Sequence, residues 1–167
     1  MTVVRRLVGA DAAIWRALRL EALKTYPQAF LTTYDEAAAL PRDTIAARLD
    51  AGATFGVFVA DRAVGIASLL PQDRAQTRHR AEIGAFYVQP TVQGQGAADR
   101  LMSAVIEAGQ RMGIWQLELF VAASNTRAIR FYARHGFDEA GRIPNATLAE
   151  GVSETDLILI RSDPPGA

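Results

Sequence analysis

Gln93-Gly94-Gln95-Gly96-Ala97-Ala98 places small residues where a run of strand-like residues gives way to a helical repeat. The strand pattern ends at Val88. Beyond the glycines, Leu101, Val105, Ala108 and Met112 recur at helical spacing. The first turn of a helix leaves backbone N–H groups unpaired and carries the positive end of the helix dipole. Those donors suit a phosphate, and small residues at 94, 96 and 98 let the anion approach the main chain. A glycine-rich turn that merely starts a helix has the same composition. A dinucleotide fingerprint fits poorly, because Asp99 stands where its third glycine belongs and Gln89 to Gln93 separate the strand from Gly94. Glu118 lies at the distance of an acidic ribose ligand, yet it alternates within a strand like a solvent-facing charge. A nucleotide P-loop is excluded, since no Gly-Lys-Ser/Thr follows.

The composition narrows the chemistry further. The 167 residues carry 18 Lys and Arg against 18 Asp and Glu, a zero formal net charge. A dedicated nucleic-acid binder needs a basic face, so no nucleic-acid partner is expected. There is no cysteine, which removes disulfides, a thiol nucleophile and thiolate metal sites. His79 and His135 are the only histidines and no carboxylate stands at metal-ligand spacing from them, so no metal is expected. The start of the chain lacks the apolar core of a signal peptide, and no stretch approaches the ~20 apolar residues of a membrane span. A soluble, cytoplasmic chain with no membrane partner is the expectation.

The elements that must position the loop follow from periodicity and breakers. Residues 2–7 read as a strand, and Asp11 as the cap of a helix to about Lys24 with Ile14, Leu18 and Ala22 on one face. Pro27 ends it, and residues 27–40 read as a loop or irregular helix. Pro41 opens a helix to about Leu49. Residues 54–60 and 63–70 form a hairpin across Asp61-Arg62. A polar loop over 71–80 leads into a strand over 81–88, a helix over 96–112 closed by Gly113, and a strand over 116–121. A helix over 125–135 and strands over 137–142 and 154–160 complete one domain, residues 1–161. Residues 162–167, with Pro164-Pro165-Gly166, read as a disordered tail. Antiparallel strands followed by strand–helix–strand–helix define an α+β class with helices on both faces of a sheet.

The segment from Gln93 to Ala98 resembles the Gln/Arg-x-x-Gly-x-Gly/Ala signature of the GNAT superfamily of N-acetyltransferases, with Val88 and Pro90 before it as in that family. A second block matches too: Asn125 after a strand, Ala128, Phe131-Tyr132, then Gly136-Phe137. Leu18-Arg19, Ala22-Leu23 and Pro27-x-Ala29-Phe30 are similar to one bacterial group of such enzymes. The resemblance covers nearly the whole chain. It implies the three-layer α/β/α GNAT fold: a mixed, mostly antiparallel central sheet with a V-shaped splay between its two central strands, here those ending at Val88 and Val121.

The resemblance implies acetyl-CoA as co-substrate and a primary amine of a small molecule or peptide as acceptor, acetylated by direct attack in a ternary complex. Its pyrophosphate would lie on the amides of Gly94, Gln95, Gly96, Ala97 and Ala98, with Gln93 shaping the loop. The pantetheine arm would run along the strand of Phe86 and Val88. The Val88 N–H would stabilise the oxyanion, Tyr132 would act as general acid near the sulfur, and Asn125 would cap its helix and touch the cofactor. Glu82 is the candidate base through water, with His79 as a substitute. The acceptor would meet residues 27–40, 71–80 and 143–153, with Trp15, Phe30 and Tyr34 as an apolar wall. Arg74, Arg78 and Arg80 either attract an acceptor carboxylate or form a solvated loop. The family also allows a homodimer, and a non-catalytic acyl-CoA sensor of the same fold is the alternative.

Overall fold

The computed structural model describes residues 1–166. Ala167, the end of the expected tail, lies outside the described residues. In chain order the elements are β1 (Thr2–Arg6), α1 (Ala12–Thr25), α2 (Tyr34–Ala38), α3 (Arg42–Ala51), β2 (Ala53–Val59), β3 (Arg62–Pro71), β4 (Arg80–Val88), α4 (Ala97–Arg111), β5 (Gln116–Ala122), α5 (Thr126–Arg134), β6 (Asp138–Ala149) and β7 (Val152–Ser162). The seven strands form a mixed, mostly antiparallel sheet in the order β1-β2-β3-β4-β5-β7-β6. The chain divides into two compact units, Met1–Leu70 with Ile83–Ala108, and Pro71–Glu82 with Gly109–Ala167.

In the first unit β1, β2 and β3 pair antiparallel in sequence order. The β2–β3 turn is Ala60-Asp61, both at positive φ (47° and 63°). That is the left-handed pair of a two-residue hairpin turn, whose twist matches the flanking strands. The turn therefore lies one residue earlier than Asp61-Arg62. The core of this unit gathers Leu7, Leu18, Ala22, Ile45, Leu49, Phe58, Ile66 and Tyr87. Burial of such a set is the main favourable term in folding. Asp11 does not cap α1 with its side chain. Its carboxylate instead takes two bonds from the Arg5 guanidinium, 2.8 and 2.9 Å, and one from the Val8 N–H at 2.9 Å. The Arg5 bonds, against the cost of burial, hold its pKa down at about 2.

Residues 27–40, left open between loop and irregular helix, contain a 3-10 turn over Pro27–Ala29 and the short helix α2. Thr33 and Glu36 form a reciprocal capping box at its start. Arg16 of α1 donates to the Leu40 carbonyl at 2.7 Å and to that of Ala38, which fixes α2 against α1. Gly65 of β3 has no room for a side chain. A Cβ there would stand 2.6 Å from the Tyr87 carbonyl oxygen and 2.9 Å from a Val88 methyl. This close approach lets β3 lie against the end of β4, where the Gln89 N–H bonds the Val64 carbonyl at 2.8 Å.

In the second unit the start of β4 pairs parallel with β5, Arg80 with Gln116 through Glu82 with Glu118. β5, β7 and β6 pair antiparallel. Leu117, Leu119, Val121, Phe137, Leu157 and Leu159 are buried here. α4 ends at Arg111, so Met112 lies beyond it and is half exposed; Gly113 at φ 76° then turns the chain, as expected. The last hairpin is longer than the strands expected at 137–142 and 154–160. Residues 143–153 are not a loop, because β6 and β7 run to a tight turn at Glu150-Gly151, φ 51° and 78°. β7 also continues to Ser162, and the Asp163 N–H bonds the Trp115 carbonyl at 2.8 Å, so regular structure enters the expected tail.

Candidate active site

In the first unit, β4 ends at Val88 and a 3-10 turn over Pro90–Val92 leads to the glycines. Gly94 and Gly96 take φ of 78° and 82°, and a Cβ at either would meet nothing within 4 Å. Glycine is needed here for backbone conformation, and the space beside it is open. The intrahelical ladder of α4 begins with the Arg100 N–H on the Gly96 carbonyl at 3.0 Å. The amides of Ala97 and Ala98 belong to the turn before that bond, where helix N–H groups lack intrahelical partners. The Gln93 and Gln95 amides differ: they bond the Pro90 and Val92 carbonyls, each at 3.3 Å, within the loop. Gln95 thus shapes the turn with its own backbone, a role expected only of Gln93.

Side chains brace this loop. Gln93 donates through Nε2 to the Val88 carbonyl at 3.2 Å, which ties the loop to the end of its strand. Gln95 does the same to the Thr91 carbonyl at 3.1 Å. Behind β4, the Glu21 carboxylate accepts from the Tyr87 hydroxyl at 2.7 Å and from Gln89 Nε2 at 2.9 Å. Burial and that carboxylate push the Tyr87 phenol well above its ordinary value, so it stays a donor.

Ala85, in the middle of β4, has a φ of 51°. A left-handed residue inside a strand disturbs the two-residue alternation: Ile83 and Tyr87 are buried, whereas Gly84, Ala85 and Phe86 between them are all partly exposed. Ala85 borders a pocket of about 530 Å³ that is also lined by Trp15, Arg19, Leu31, Glu36 and Leu40. Of the three aromatic residues expected as one wall, Trp15 lines this pocket. Tyr34 and Phe30 do not line it; Tyr34 is 45% exposed, and Phe30 lies under the Arg19 guanidinium, 4.7 Å from ring centre to Cζ. Arg19 was missed as a site residue, although its position is legible: it falls at helical spacing between Trp15 and Ala22 on the buried stripe of α1.

The second unit carries the other candidates. Asn125 caps α5, its side chain accepting from the Ala128 N–H at 3.1 Å. Tyr132 lies on α5 among aromatic rings, edge-on to Phe131 at 5.4 Å and to Phe137 at 5.8 Å. Burial pushes its phenol far above the ordinary value. Glu82 is half-buried on β4, and burial together with the charge of Glu118 raises its pKa. Glu118 itself is held down, chiefly by Arg80, which grips both its oxygens; the Nη2 bond is 2.8 Å. Arg80 is therefore committed to Glu118 and is no solvated loop charge. His79 stacks on Trp115 at 4.4 Å, and its carbonyl accepts the Trp115 and Gln116 amides. Among the described residues no cluster of His, Asp or Glu is placed to hold a metal ion, and no helix is long and apolar enough to cross a membrane.

A glycine loop that opens a long helix after a strand with a left-handed residue, in a mixed seven-stranded sheet, defines an α+β domain. Residues 13–137 match the Acetyltransferase (GNAT) family, and the chain belongs to that family. A mycothiol acetyltransferase of Brachybacterium faecium is 31% identical over 137 residues, 79% of this chain but 39% of that protein. One from Sanguibacter keddieii is 33% identical over 138 residues, again 79% of this chain and 42% of its own length. The match thus spans about two fifths of the length of these two relatives. Among solved structures, yncA of Salmonella typhimurium, determined with its cofactor acetyl-CoA, superposes with a TM-score of 0.85 over 100% of this chain and 97% of its own, at 19% identity. That likeness establishes the fold.

Proposed function

We propose that this chain transfers the acetyl group of acetyl-CoA to a primary amine by direct attack. The observation that carries the proposal is the loop Gln93–Gly96 with its two left-handed glycines, anchored to Val88 and opening α4. The amides of Gly94, Gly96, Ala97 and Ala98 would hold the pyrophosphate, and Gln93 and Gln95 would keep the loop in shape. Phe86 and Val88 would border the pantetheine arm, and Asn125 would contribute from the cap of α5.

The reaction needs a neutral amine, a donor for the oxygen on which charge develops, and a proton for the departing thiolate. The Val88 N–H is the proposed oxyanion donor; one such donor is worth ~3 kcal/mol in a preorganised site. Tyr132 would supply the proton, because its raised pKa keeps the phenol protonated throughout the neutral range. Glu82 would accept the amine's proton through water, because its raised pKa makes it a stronger base than an ordinary carboxylate. Positioning of the two substrates would supply much of the remaining acceleration.

The test is release of free coenzyme A thiol from acetyl-CoA across a panel of primary amines. Amine-dependent release is expected, and Tyr132→Phe should lower kcat by ~10- to 100-fold with little change in KM for acetyl-CoA. Acetyl-CoA binding without thiol release from any amine would overturn the transfer reading. An unchanged kcat in the Tyr132→Phe variant would remove Tyr132 as the acid.

A further inference from the structure

Arg19 is 9% exposed, and its Nη1 is sealed from solvent with no hydrogen-bond partner in the protein. A buried cation is ordinarily paired, since desolvation is costly without an opposite charge. Here only desolvation acts on the group, lowering its pKa, and no carboxylate offsets it. Stacking on Phe30 gives the guanidinium an apolar floor but no counter-charge. The same residue lines the pocket beside Ala85, the left-handed residue of β4. The Glu36 carboxylate in that wall accepts the Thr33 N–H and hydroxyl on one oxygen, Oε2, as part of the α2 cap. Trp15, Leu31, Ala37 and Leu40 form apolar walls, and Thr32 and Arg48 complete the lining. About 530 Å³ is in the range of a small-molecule site.

We propose that Arg19 recognises a carboxylate on the acceptor, so that the substrate class is a small amine bearing a carboxylate and an apolar side chain, as in the apolar α-amino acids. A planar guanidinium fork matches a carboxylate better than any other side chain does, and the ligand's charge would compensate the buried cation. Trp15, Leu31 and Leu40 would receive the apolar portion, and the pocket's border on Ala85 would bring the amine to β4. This replaces Arg80, whose charge is spent on Glu118.

The proposal rests on the acetyl-transfer reading, but its test does not need turnover. Calorimetric titration of the full chain with leucine, methionine and phenylalanine, each against its own carboxamide, reads the carboxylate directly, with and without coenzyme A. At least one acid should bind 10-fold or more tightly than its amide. Arg19→Lys, which keeps the charge and loses the fork, and Arg19→Met should each bring that ratio close to one. Far-UV circular dichroism and melting temperature verify that both variants fold. Equal binding of every acid and its amide, or a preference that survives both substitutions, overturns the proposal. Failure of the acetyl-transfer reading shows separately, as absence of amine-dependent thiol release.

Discussion

Gly96 stands at φ 82° with open space where a side chain would begin, so two effects of substitution can be separated there. Alanine imposes the left-handed strain, about 1 kcal/mol, and nothing else. Glutamate imposes the same strain and adds bulk and a negative charge beside the proposed pyrophosphate. Gly96→Ala should weaken acetyl-CoA binding by less than ~10-fold, and Gly96→Glu by ~100-fold or more, at similar melting temperatures. Calorimetry with acetyl-CoA on both variants checks it; equal affinities would move the anion site elsewhere. Glu82 offers a second separation. Burial and Glu118 favour its neutral form, so its folded pKa lies above the unfolded one, an ordinary ~4.3. Its ionisation therefore costs stability, beginning as pH rises through the unfolded value and complete above the folded value. Glu82→Gln should match the parent's melting temperature at low pH and exceed it at neutral pH. If Glu82 is the base, the same variant loses the acidic limb of the kcat/KM profile. A flat difference in melting temperature from pH 4 to 8 would show that the carboxylate is not disfavoured by the fold.

The elements show where sequence patterns are strong and where they fail. α1, α4 and α5 announce themselves by periodic apolar residues with Gly113 and Gly136 beyond them, and the β2–β3 hairpin by two β-rich runs. Only the start of β6, within 137–142, reads as a strand; its continuation to Ala149 gives no such signal, since most of its residues are exposed and no alternation marks it. It is a strand because β7 supplies its backbone partners, with a shift in register between Ile143 and Thr147, where Asn145 takes φ 51°. The left-handed Ala85 in β4 is equally invisible, as alanine carries no preference for that conformation. The glycine loop and Asn125 were legible because glycine and caps are local requirements; the Arg5–Asp11 pair and the bare Arg19 depend on tertiary packing. α2 could have been found, since Thr33-x-x-Glu36 spells its capping box. The β2–β3 turn carries a prediction of its own. Ala60 and Asp61 both hold φ values that favour Asn and Gly. The double variant Ala60→Asn, Asp61→Gly should raise unfolding free energy by about 1 kcal/mol, seen as a higher urea midpoint at constant m. A lower midpoint would mean that these side chains do more than turn the chain.

At the scale of the whole molecule, the zero net charge provides no general attraction for a polyanionic ligand. Any affinity for coenzyme A must then come from local geometry, which is the condition for discriminating it from other pyrophosphates. NADH and ATP carry the same linked phosphates, so backbone amides alone would not reject them; in the proposed site, Phe86 and Val88 would add discrimination by bordering a pantetheine arm that neither ligand has. A ligand that binds only the native state at 100 times its Kd adds about 2.7 kcal/mol to stability. For a chain of this length each kcal/mol is worth roughly 2–4 °C in Tm. Saturating acetyl-CoA should therefore raise Tm by about 5–10 °C, and the same concentrations of NADH and ATP by less than ~2 °C. Desulfo-coenzyme A, which keeps the arm and lacks the thiol, should approach acetyl-CoA, whereas 3′-phospho-ADP, which lacks the arm, should fall with ATP. If 3′-phospho-ADP matched acetyl-CoA, the nucleotide end would carry the binding and β4 would have no part in recognition. A rise with NADH alone would reject the acyl-CoA site altogether.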